Sequence, residues 1–185
     1  MHGPSSPGWL LVALCAVTGA YCLLRMRSTV EEQRQAAGGE ALMGFGMAVM
    51  AVPAAVAVPP SWAWTACAAV FGAAALRALW AARTDAHHLH HLAETSAMVY
   101  MAVTMGASGG HHAHGGGVPA LTAVFLVYFT GYALLSGVRL VPVAAVSPGG
   151  SVRTVGWGDR PELARACRLS MAIAMLAMLM MLMML

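Results

Sequence analysis

The chain has 185 residues, of which 59% are hydrophobic and only 9% charged, and it carries a formal net charge of +3. This balance excludes an ordinary soluble domain and fits an integral membrane protein, with several apolar runs approaching the roughly 20 residues needed to cross hydrocarbon. All ten basic residues are arginines, and they flank the apolar runs, so the positive charge reads as membrane topology and not as a nucleic-acid-binding surface.

In chain order, the runs predict an all-α polytopic membrane protein, a single transmembrane domain over 1–185. Its six transmembrane helices form one bundle, at about 8–24, 41–58, 61–81, 92–108, 118–141 and 164–185. The first run has no basic residue before it and Arg25 and Arg27 after it, the reverse of a secretory signal, so it reads as a retained helix. Segment 25–40 is polar. In the second helix Pro53 predicts a kink, and Gly44 and Gly46 predict close helix contact. Pro59-Pro60-Ser61 is a tight turn into the third helix, and Asp85 is a candidate cap for the fourth. A Gly/His-rich loop at 109–117 leads to the fifth helix, where Tyr128, Tyr132 and Ser136 form a polar stripe suited to interhelical hydrogen bonds. A polar connection at 142–163 precedes the last helix.

The ten arginines (25, 27, 34, 77, 83, 139, 153, 160, 165, 168) all fall on one side of this arrangement. The positive-inside rule makes that side cytoplasmic and both termini external. Trp9, Trp62 and Trp64 sit near the outer boundary and Trp80 near the inner one, as interface anchors do. The cysteines at 15, 22, 67 and 167 show no C-x-x-C spacing and predict no disulfide framework.

The chemistry concentrates in the even-numbered helices. On a helix His87, His91, Glu94, Met98, Met101 and Met105 share one face. A carboxylate in a membrane segment costs about 2.5–3.5 kcal/mol, so Glu94 should meet protein, water or metal. The pattern recurs: Glu40 precedes Met43, Met47 and Met50, and Cys167 precedes Met171, Met175 and Met178. Apart from Met1 and Met26, every methionine lies in helix two, four or six, while the equally apolar third and fifth helices have none. Three parallel stripes could therefore line one interior, with the odd helices as buttress. Methionine is also a flexible core-filler, so packing is the competing explanation, above all for Met180, Met181, Met183 and Met184, which point all round the last helix.

Thioether and imidazole together suit Cu(I) better than magnesium or calcium. His87 and His91 form one i,i+4 pair and His90 and Glu94 another, and the sequence does not choose between them. A solvated histidine cluster at the headgroups is the competing explanation. His111, His112 and His114 lie in an external glycine-rich loop that could capture Cu(II) or Zn(II) loosely. His87, His90 and His91 read as H-x-x-H-H, which resembles one histidine box of membrane desaturases and hydroxylases, but their other cytosolic boxes are absent. No Walker A loop is present, so ATP-driven pumping by this chain alone is not expected.

Residues 40–47 (EALMGFGM), 90–101 (HHLAETSAMVYM) and the methionine-rich last helix resemble an uncharacterised actinobacterial family of small multi-pass membrane proteins, known only as a domain of unknown function. The resemblance implies membrane location and a six-helix-type bundle, and no activity. The expected function is Cu(I) handling in a bacterial cytoplasmic membrane: transfer, sequestration or delivery to a cuproenzyme or other membrane protein. The alternatives are a metal-dependent membrane oxidoreductase built on the inner His/Glu cluster, and a non-catalytic accessory subunit. The lipid bilayer is the expected partner, and nucleic acid is not.

Overall fold

The structure, a computed structural model, describes residues 6–27, 31–52, 59–83, 89–107, 117–140 and 161–184. Within them lie six helices: α1 Ser6–Arg25, α2 Glu31–Met50, α3 Ser61–Ala82, α4 Leu89–Ala107, α5 Pro119–Leu140 and α6 Pro161–Met184. The fold is all-α, with no strand among the described residues. Both α5 and α6 open on a proline, which costs nothing in the first turn because that N–H has no intrahelical partner. Glu162 follows at the start of α6, where a carboxylate favours the positive end of the helix dipole.

Five helices fall within about a turn of their expected bounds, and α2 does not. It was expected over 41–58; it begins at Glu31 and ends at Met50, with residues 51 and 52 in a turn. The end follows from Pro53, because a proline disfavours helical geometry in the residue before it. The kink expected at Pro53 itself lies outside the described residues. The first turns of α2 are polar and exposed at Glu31 and Arg34, and burial begins at Ala37 and Glu40, the latter set against arginines of two other helices.

Four helices contain stretches long and apolar enough to cross a membrane: Gly8–Arg25, Ser61–Ala82, Pro119–Val138 and Glu162–Met184. The apolar part of α2 is shorter, Ala36–Met50, which at 1.5 Å per residue covers roughly 22 Å of a hydrocarbon layer about 30 Å thick. α4 is interrupted near its start by His90, His91 and Glu94. The two helices that fall short of the six expected spans are therefore those that carry carboxylates among their apolar residues.

Helices pack mainly in sequential pairs, α1 with α2, α3 with α4 and α5 with α6, and the pairs join where α2 meets α4 and α6 and where α1 meets α6. Glycine sets two of these approaches. A Cβ on Gly44 would lie 2.9 Å from the Gly19 backbone of α1, so the two helices touch backbone to backbone there. A Cβ on Gly46 would fall 2.2 Å from the Phe71 ring of α3 and 3.1 Å from the Met98 methyl of α4. The close contacts expected at both glycines are present.

Candidate functional site

Burial separates the helices into inner and outer. Phe71 is the buried residue of α3, and α5 buries Thr122 and Phe129, while much of their remaining surface exposes large apolar side chains such as Leu76, Trp80, Val127 and Leu135. The even helices turn their stripes inward. Met43, Met47 and Met50 of α2, Met98 and Met101 of α4, and Met171, Met175 and Met178 of α6 are all buried in one continuous core, with Met105 packed against it. Met180, Met181, Met183 and Met184 are exposed. The stripes that follow Glu40, Glu94 and Cys167 thus converge on a shared interior.

α1 was expected to buttress from outside, yet Leu11, Cys15, Thr18, Cys22 and Arg25 form a buried face at helical spacing. This face carries the charge that sets the environment of Glu40. Both side chains of the Arg25–Glu40 pair are 1% exposed; Arg25 Nη1 pairs with Glu40 Oε2, and Arg168 Nε of α6 donates to Glu40 Oε1 at 2.7 Å. The Cys22 thiol donates to Glu40 Oε2 at 3.7 Å. Both oxygens of Glu40 are therefore engaged by cations, and the residue acts as an electrostatic joint between α1, α2 and α6. Carboxylate ligation of a metal there would require displacing an arginine.

Glu94 has a different shell. Its carboxylate is buried, with His91 Nδ1 donating to Oε2 at 3.2 Å and His90 Nε2 3.0 Å from Oε1, the latter contact off the line of a ring N–H. The other His90 nitrogen, Nδ1, lies 3.0 Å from the Tyr128 hydroxyl of α5, and the ring stacks on Tyr132 with centroids 3.7 Å apart. With the phenol donating to Nδ1, the neutral ring carries its proton on Nε2, beside Glu94. Of the two pairs left open by the sequence, His90–Glu94 forms, and His91 joins it. His87 lies outside the described residues, as do His111, His112 and His114.

Tyr128 supplies the interhelical hydrogen bond that the stripe predicted, Tyr132 stacks on the same histidine, and towards the other end of α4 the Tyr100 and Thr122 hydroxyls are 2.7 Å apart. Cys22, Arg25 and Arg168 belong to these inner clusters although the sequence placed none of them among the ligand candidates, whereas His90 enters through the i,i+4 pair with Glu94 that the sequence offered. Nothing local pairs Arg25 or Arg168 with Glu40, since those partners come from separate helices.

Chemically, the arrangement offers two polar clusters, one around Glu40 and one around Glu94, beneath a thioether-rich core. Among the described residues, no three His, Cys, Asp or Glu side chains meet in metal-holding geometry. The soft sulfur donors of the core are of a different kind. No curated protein and no solved structure matches this chain. Residues 32–182, from the first turn of α2 almost to the end of α6, match the family described as domain of unknown function DUF5134, and the chain belongs to that family.

Proposed function

We propose that this protein handles Cu(I) within a bacterial cytoplasmic membrane, passing or holding the ion along the methionine-lined interior for delivery to a membrane cuproenzyme. The observation that carries the reading is the convergence of the methionines of α2, α4 and α6 in one buried core while α3 and α5 contribute none. A soft monovalent ion is the cargo that thioethers favour, and several weak neighbouring donors allow it to be exchanged. At the inner end His91, Glu94 and Cys167 are the donors in this reading, while Glu40 holds the arginines in place. All six helices cross the bilayer in this reading, with both termini outside and α2 and α4 stabilised by the pairing of their carboxylates inside protein.

Purified protein under reducing conditions should bind Cu(I) in competition with a chromophoric chelator. Leucine replaces methionine at a cost typically below about 1.5 kcal/mol in a core. A Met98→Leu/Met101→Leu variant should therefore keep its thermal stability and bind fewer equivalents of copper. Unchanged copper binding in that variant would reduce the stripe to packing, and bound iron with oxygen consumption would favour an oxidoreductase.

A further inference from the structure

Two thiols at the inner end of this core come from helices far apart in sequence. α1 and α6 run antiparallel in contact, with the Thr18 and Ser170 hydroxyls 3.3 Å apart. About one turn nearer the inner end, the Cys22 and Cys167 side chains lie within hydrogen-bonding reach of each other. Cys22 is fully buried. Cys167 lines an open cleft of about 240 Å³, together with Tyr21, Leu163, Ala166 and Ser170. One thiol is thus reachable from outside the bundle and the other stands behind it.

Beside these thiols Arg25 and Arg168 meet the carboxylate of Glu40, and Arg25 Nε is buried without a hydrogen-bond partner among the described residues. Neighbouring guanidinium groups favour the ionised form of a thiol. Two thiolates on Cu(I) form a linear complex of net charge −1, which these cations can stabilise. Zinc would ask for four ligands, and no such set forms among the described residues.

We propose that Cys22 and Cys167 form a two-coordinate Cu(I) site at the inner end of the methionine core, loaded through the cleft beside α6; this rests on the Cu(I)-handling reading above. In the loading step the two Cu–S bonds to a dithiol carrier break as two Cu–S bonds to Cys22 and Cys167 form. The two thiol protons pass through water to the released carrier thiolates, and copper stays Cu(I). Arg25 and Arg168 balance the resulting negative charge. Met171, one helical turn above Cys167 and buried, is the next soft donor.

The test is a Cu(I) titration of the full-length protein in detergent, following the ultraviolet thiolate-to-copper band and competition with a chelator. Cys22→Ser and Cys167→Ser should each abolish the band and weaken binding by more than the roughly 10–100-fold that loss of a supporting partner costs. Cys67→Ser, on α3, should change neither. X-ray absorption at the copper edge of the wild-type protein, which does not depend on any variant folding, should show two sulfur neighbours at short thiolate distances. Cysteine variants that keep the band, or a wild-type copper environment of thioethers alone, would overturn the dithiolate. If in addition only Met98→Leu/Met101→Leu loses copper, the thioether reading stands without it. Wild-type protein that binds no Cu(I) would overturn both.

Discussion

Glu40 is held between two guanidinium groups, so its loss is felt asymmetrically. Glu40→Gln would leave Arg25 buried and Arg168 without a carboxylate, and breaking a buried pair in this way costs about 3–5 kcal/mol. A clear drop in the unfolding temperature in detergent is expected. Glu31→Gln should produce no measurable change, because the Glu31–Arg34 pair sits on the surface. At this scale the sequence revealed which residues matter better than what they do. Glu40 and Glu94 stand out as carboxylates beside membrane-length apolar runs, but one meets arginines and the other histidines. The arginines at 25 and 168 read as topology markers because periodicity reports faces of one helix and says nothing of a partner 128 residues away.

Among the elements, the junction of α1 and α2 leaves no room for an added side chain at Gly44. An added methyl at Gly44 meets the backbone of Gly19 and has nowhere to go, whereas Gly72 on α3 faces open space. Gly44→Ala should destabilise by about 1–3 kcal/mol, as overpacking does. Gly72→Ala should be neutral or stabilising by up to about 1 kcal/mol, from helix propensity alone. Thermal unfolding of the two variants beside the wild type checks both. Helix number and order were legible, since apolar length and proline punctuation are local properties. The extent of α2 was not, because Glu40 is accommodated by contacts with α1 and α6 that no local pattern encodes.

For the molecule as a whole, the inward turn of the even helices was legible: methionines at steps of three and four on three helices, and absent from two others, predicted the core that forms. The inner face of α1 was not, since Cys15, Thr18 and Cys22 look unremarkable in an apolar run. If all six helices span the membrane, a periplasmic reporter enzyme fused after Leu185 should be active, and a cytoplasmic one inserted at residue 150 should be active too. The opposite pair of results would invert the topology.

The joint at Glu40 also has a consequence for biogenesis. Arg25 and Glu40 emerge from the ribosome close together, so the first hairpin reaches the insertion machinery with its buried charges already matched, while Arg168 arrives only with the final segment. Chains stopped at residue 160 should therefore insert, yet expose the unfinished methionine surface to quality-control proteolysis. In pulse-chase labelling they should decay faster than the 185-residue chain, with α6 serving as the latch that ends surveillance.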